Sequence, residues 1–407
     1  MTSWMMVFFI ITFLAIWVSM HAYLGWRFGQ PLSLLRRKWA WGLVGLHFVF
    51  SLLGMMMRNF PQMEPIYSIV KWGYYVGMGA FLLLFSLMVF KDVGYWIFTK
   101  VETLFGAEKK ETDRERREFL VNSLNLGVLA AATGGTALGY YEARRLPDLV
   151  QVVVPLENLP PGLEGLKIAQ ITDVHVGPTV RKATVRRIVE EVNRLQPDLV
   201  VITGDLIEGH IDHIWDDVTP ILDLRSTYGT FYCTGNHEYI WDGPGWCEKL
   251  AAAGIKVLNN EHILVEHQGG RLLVAGCTDH TAHRFVPSHR TDPKAAIEGA
   301  PDHDISILLA HQPVSIHDAA EAGYDLQLSG HTHGGQFFPG PLVIDLFHPY
   351  AVGLHREEKT WIYVSRGTGY WGPPMRLKAP SEITLVTLTN GKEDRALVER
   401  RPLNSVA

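Results

Sequence analysis

Cysteine is scarce in this chain of 407 residues, with only Cys233, Cys247 and Cys277. An odd number scattered so widely excludes a disulfide framework and zinc-finger spacing, so packing or metal must hold the core together. Charge is sparse too, at 19% of residues, and the formal net charge of −5 excludes a nucleic-acid binder that depends on positive charge. In four stretches, 4–24, 39–57, 72–90 and 119–141, Asp, Glu, Lys and Arg are missing altogether. Each is about the roughly 20 residues that cross a hydrocarbon core, and each reads as a spanning helix.

The charge that remains is divided unevenly. Residues 1–149 hold 15 Lys and Arg against 10 Asp and Glu, and residues 150–407 hold 22 against 32. Sixteen of the 18 histidines lie in the second part. The chain therefore divides into an all-α membrane region, 1–148, and a domain carrying the chemistry, 149–407.

Trp and Tyr near the ends of the first three runs suit a bilayer interface, whereas Asn122, Ser123, Asn125 and several glycines dilute the fourth. Loop charge sets the orientation. Arg27, Arg36, Arg37 and Lys38 lie in the first loop, and seven Lys and Arg between Lys91 and Arg117 lie in the third. The second loop has Arg58 and Lys71 alone. Placing basic loops in the cytoplasm puts the C-terminal domain outside, although Arg144 and Arg145 argue mildly the other way. Arg116-Arg117-Glu118-Phe119-Leu120 before the weak fourth run resembles a twin-arginine export signal, so the export machinery is an expected partner beside the bilayer. Ordinary flanking charge gives the same pair. Residues 93–118 read either as an interfacial amphipathic helix or as an extension of the third span.

From Lys167 onward, short apolar runs alternate with amphipathic stretches, as in an α/β or layered α+β domain. The runs are 167–172, 199–203, 230–234, 271–275, 305–310 and 326–329. Five are followed at once by polar residues: Asp173 and His175, Gly204-Asp205, Gly235-Asn236-His237-Glu238, His311, and Gly330-His331-Thr332-His333. A sheet that delivers its strand ends to one edge builds its site there. Each element alone reads as a turn or a surface histidine. Together they offer nitrogen and oxygen donors without cysteine, the set that Mn, Fe or Zn accepts.

In that order these residues resemble the motif series of the calcineurin-like metallophosphoesterases, over about residues 150–390. The overall architecture resembles the membrane-anchored bacterial branch, which includes phosphodiesterases and relatives of the UDP-2,3-diacylglucosamine pyrophosphatase of lipid A synthesis. The resemblance implies a four-layer αββα sandwich with two divalent ions. One would be held by Asp173, His175 and His333, the other by Asn236, His311 and His331, with Asp205 bridging. His237 would be the acid and the phosphate contact. Two such ions activate water and clamp phosphoryl oxygens. The Gly-Asp motif runs on to Glu208, so no role for a following Asp carries over.

The expected reaction is hydrolysis of a phosphodiester or pyrophosphate of a lipid or envelope molecule, at the outer face of a bacterial inner membrane. A phosphomonoesterase and a non-catalytic module that senses a phosphate ligand are the alternatives. Arg366, in a glycine loop after an apolar run, is a candidate phosphate contact or a surface residue. His280 and His283 read as pocket or loop. Phe337-Phe338 and 370–374 read as loop-packing aromatics or as a lip facing lipid.

Overall fold

The computed structural model describes residues 3–30, 34–57, 66–105 and 113–403. The chain divides into two compact units, Met1–Tyr140 and Tyr141–Ala407.

The first unit is helical: α1 (Ser3–Gly29), α2 (Leu34–Met56), α3 (Ile66–Leu104) and α4, which begins at Arg114 and ends in the second unit at Arg144. Among the described residues two helices are long and apolar enough to cross a bilayer, Arg37–Met56 and Ile66–Leu104. The expected count of four is thus not carried over. Asn and Ser dilute α4, and some side chains of α1 lie outside the described residues. Residues 93–104 continue α3, which settles them as an extension of the third run. Arg58, Lys109 and Lys110, on which part of the loop-charge argument rests, lie outside the described residues.

Polar side chains join the helices internally. Asp92 on α3 accepts from Tyr23 at 2.5 Å and from Arg27. Lys91 donates to Asn125 of α4 at 2.5 Å, and Asn125 donates to the Arg27 carbonyl at 3.2 Å. Asn125, one of the residues that weaken the fourth apolar run, is therefore spent on helix–helix hydrogen bonds.

Among its described residues the second unit carries thirteen strands: β1 (Asp148–Leu156), β2 (Lys167–Ile171), β3 (Leu199–Thr203), β4 (Thr230–Cys233), β5 (Lys256–Val257), β6 (Glu261–His267), β7 (Gly270–Gly276), β8 (Ile305–Leu309), β9 (Leu326–Ser329), β10 (Gly353–Glu357), β11 (Thr360–Val364), β12 (Glu382–Asn390) and β13 (Leu397–Pro402). They form two sheets, ordered β13-β1-β12-β2-β3-β4-β5 and β10-β11-β9-β8-β7-β6. The helices among them are α5 (Lys182–Arg194), α6 (Ile211–Val218), α7 (Asn236–Trp241), α8 (Gly243–Ala252), α9 (Pro293–Ile297), α10 (Ile316–Ala322) and α11 (Gly340–Val343).

Period-two alternation sorts each strand into two cores. Leu199 and Val201 of β3 join Ile305, Ile307 and Leu309 of β8 in the core between the sheets. Val200 and Ile202 face the other way, onto α5, where Val185, Ile188, Val189 and Val192 recur at helical spacing. Leu308 of β8 packs outward with Ala296 of α9 and Ala319 of α10. The layers run helix, sheet, sheet, helix, as the four-layer reading requires. β2, β3 and β4 are mutually parallel, as are β7, β8 and β9, so their carboxyl ends gather on one edge of each sheet.

Candidate metal centre

Every strand end singled out from the sequence delivers its residues to one place. The backbone there is bent to do so: Asp173, His175, Asp205, His331 and His333 have φ of 53°, 52°, 49°, 71° and 51°. Side-chain-bearing residues adopt this left-handed conformation at a cost, and such strain clusters at functional sites. Two glycines make room. A Cβ on Gly235 would lie 2.2 Å from Asp205 Oδ1, and one on Gly330 would lie 2.2 Å from Asp173 Oδ2.

Asp173, His175 and His333 form one cluster of possible ligands and Asp205, His311 and His331 another, with a third group, His175, Glu208 and His237, beside them. His175 Nε2 lies 3.1 Å from His333 Nε2, which is 3.3 Å from Asp173 Oδ1. His331 Nδ1 lies 3.2 Å from His311 Nε2. Asp205 stands between the clusters, its Oδ2 3.1 Å from His311 Nε2 and 3.8 Å from His175 Nε2. Its other oxygen accepts from the His237 backbone at 2.8 Å.

The proton inventory calls for cations in these gaps. His311 Nδ1 must donate to the Thr203 carbonyl at 2.8 Å, because a carbonyl only accepts. In neutral His311 the Nε2 lone pair would then face the Asp205 carboxylate, acceptor against acceptor. Burial lowers the affinity of His311 for a second proton, but Asp205 outweighs it and holds the imidazole well above its usual pKa. A proton thus does electrostatically what a metal ion would do. Burial, aided by His311, brings His331 down to about 3, leaving it a neutral donor. The Asn236 Oδ1 atom is buried without a hydrogen-bond partner, as an oxygen awaiting a cation would be. The residues present fit divalent ions.

His237 lies beside the first two clusters, its Nε2 4.0 Å from Asp205 Oδ2. Its Nδ1 meets Glu208 Oε2 at 2.5 Å, and the same oxygen is 3.3 Å from His175 Nδ1. Sequence reasoning assigned Glu208 nothing. The longer side chain reaches because the loops after β2 and β3 pair through Val176 and Ile207, with the Glu208 N–H donating to the Val176 carbonyl at 2.7 Å. Burial opposes ionisation of Glu208, but the adjacent His175 and His237 imidazoles bring it to about 2. Burial likewise lowers His237, yet Asp205 and Glu208 carry it up to about 9.

Glu238, which the sequence motif includes without a role, and Arg376, which it does not include, support the site. The buried Glu238 carboxylate accepts from the backbone N–H groups of Asp205, Leu206, Ile207 and Gly235 at 2.6–3.3 Å, clamping the loops after β3 and β4 together. Arg376, fully buried, donates to the carbonyls of His333 at 2.9 Å, Arg366 at 2.7 Å, Ala379 at 3.2 Å and Gly369 at 3.1 Å. It ties the segment after β11 to the His331–His333 loop. Arg376→Met would leave those carbonyls without a donor, so we expect a loss on the order of 3 kcal/mol, read as a fall in Tm of the full chain. An unchanged Tm would show that the clip is dispensable.

Arg366, the candidate phosphate contact, donates through its guanidinium to the buried Glu382 at 3.3 Å. Among the described residues, His280 and His283 belong to none of these groups, and His283 Nδ1 meets the His280 carbonyl. Phe337 and Phe338 are half-buried and Tyr370 is buried, while Trp371 is exposed with its ring 5.7 Å from that of His237.

The family model for calcineurin-like phosphoesterases matches residues 166–335. The chain is 34% identical over 362 residues to a transmembrane protein with metallophosphoesterase domain of Danio rerio, covering 86% of this chain and 80% of that one. Its identity to an uncharacterized metallophosphoesterase of Helicobacter pylori (strain ATCC 700392 / 26695) is 39% over 374 residues, covering 85% and 98%. A protein of Bos taurus with the same name as the Danio rerio one is 34% identical, covering 84% and 78%. The likeness therefore extends beyond a bacterial branch. Strand-end ligands, an acceptor-lined gap and this similarity along most of the chain converge: the chain belongs to the calcineurin-like metallophosphoesterases, and is a metal-dependent phosphoester hydrolase.

Proposed function

We propose that the chain hydrolyses phosphodiesters or pyrophosphates with two divalent ions. The position of the Asp205 carboxylate, within 4 Å of nitrogen donors from both clusters, carries this reading. Asp173, His175 and His333 would hold one ion, and Asn236, His311 and His331 the other, with Asp205 shared. Mn, Fe and Zn all suit the donors. Bound there, such ions polarise water and the phosphoryl oxygens.

His237 then has the place and the charge of a general acid. Glu208 fixes its Nδ1 side, so Nε2 carries the proton available to a departing alkoxide. A module that only held phosphate would need no such donor. An acid held up to about 9 stays protonated as pH rises towards that value and loses its proton beyond it, so turnover should fall on the alkaline side. Glu208→Gln removes a charge that raises His237, and should move the alkaline limb of kcat to lower pH. An unmoved limb would show that another group titrates there.

The bond class is tested by comparing bis(p-nitrophenyl) phosphate with p-nitrophenyl phosphate in the presence of Mn. Faster diester turnover is expected. Preference for the monoester would favour a phosphomonoesterase, and no turnover of either would sink the hydrolase reading for these substrates.

The candidate spans, and relatives named as transmembrane proteins, support a bilayer-bound enzyme with a lipid or envelope substrate, of which nucleotide-linked lipids are one class. Placement of residues 149–407 outside a bacterial inner membrane, by twin-arginine export, is supported by the sequence order at Arg116-Arg117 and by the exposure of both arginines in the first turn of α4.

A further inference from the structure

Beside the metal centre the chain exposes apolar side chains that no packing explains. Leu342 is 61% exposed, Leu346 79%, Phe347 73% and Trp371 53%, with Val343 beside them. Leu342 and Val343 end α11, and Leu346 and Phe347 close the 3-10 turn that follows it, so these four apolar side chains fall within six residues of chain. Charge is nearly absent: residues 337–354 contain Asp345 as their one charged residue, and 367–375 contain none.

This lip is fastened to the site. The His348 ring stands 5.4 Å from that of His331, and the Trp371 ring 5.7 Å from that of His237. Gln336 locks the two loops into one platform, donating to the Trp371 carbonyl at 2.8 Å and accepting from the Trp371 N–H at 2.9 Å. A phosphate held at the ligands would have this apolar surface next to whatever it esterifies.

We propose that the lip formed by Leu342, Val343, Leu346, Phe347 and Trp371 enters the acyl layer of a bilayer and takes the apolar part of a lipid-borne phosphodiester. The substrate part of this inference rests on the hydrolase reading above. Apolar side chains clustered on a short, nearly uncharged segment lie in an interface in this way. Among the described residues the chain carries two candidate spans of its own, so a bilayer is the apolar phase to which it is tethered. A second copy fits less well, because the lip exposes on the order of 500 Å², short of the ~800 Å² per partner of a standard protein interface.

The test uses the full chain in vesicles of phosphatidylethanolamine and phosphatidylglycerol. The three native cysteines are buried, so a thiol-reactive, polarity-sensitive probe reports on Phe347→Cys or, as an exposed control, Asp394→Cys. Quenching by spin-labelled lipid at 347 and by iodide at 394 is expected. Iodide reaching both equally would overturn the proposal, as would shielding at 347 that grows with protein density, which would point to a second copy. In a second arm, Leu342→Ser/Leu346→Ser/Phe347→Ser should keep bis(p-nitrophenyl) phosphate turnover while losing about tenfold or more in kcat/KM on hexadecyl p-nitrophenyl phosphate in the vesicles. Equal loss on both substrates, or on neither, would overturn the substrate role. Failure of the wild type on both would count against the hydrolase reading, and quenching would still decide where the lip lies.

Discussion

Asp205→Asn is expected to remove most turnover and most bound metal together. The carboxylate is buried and holds His311 at 3.1 Å, His175 at 3.8 Å and the His237 N–H at 2.8 Å. Burial disfavours its charge, but His311 and His237 outweigh this and hold its pKa well below the ordinary carboxylate range. The amide keeps the shape and loses the charge common to both clusters. The fall in kcat/KM should exceed the ~10–100-fold that removal of a residue behind a metal ligand costs. Elemental analysis of the purified variant, beside its turnover, checks this. Wild-type metal content with wild-type turnover would refute the shared position.

His237→Ala should separate chemistry from metal binding. Its imidazole lies against Glu208 and Trp371, in a group with His175 and Glu208 that contains neither Asp173 nor His311. Turnover should drop by roughly 10²–10⁴, the usual loss for a general acid, with metal content near wild type. For p-nitrophenolate, which leaves with little help from a proton, the drop should be smaller than for an alkyl leaving group. Metal loss in this variant would make His237 a ligand instead.

The clustering of the candidate ligands was legible because each candidate follows an apolar run that the structure shows as a strand, with β2, β3, β4, β8 and β9 all followed by polar residues. Parallel pairing then makes proximity in space follow from position along each strand. What escaped was the support behind it. Glu208 differs from a surface glutamate only through the pairing of Val176 with Ile207, a contact between separate loops. Arg376, near the end of a Gly/Pro-rich loop, is buried because five backbone carbonyls surround it, and no periodicity records a carbonyl cage. β1 escaped as well. It pairs with β12 in a register that joins Val152 to Val386, and such long-range pairing leaves little local signal. In the helical unit, composition located the apolar runs, yet Asn125 read as a dilution and proved to be a hydrogen-bonding partner.

Metal titration of the stripped full chain tests the central claim most directly, with bis(p-nitrophenyl) phosphate turnover and bound Mn followed in the same samples. The account predicts negligible turnover without metal and a rise that levels off at two ions per chain, the second abolished in Asp205→Asn. Full turnover in the stripped protein, or none with both ions bound, would contradict it.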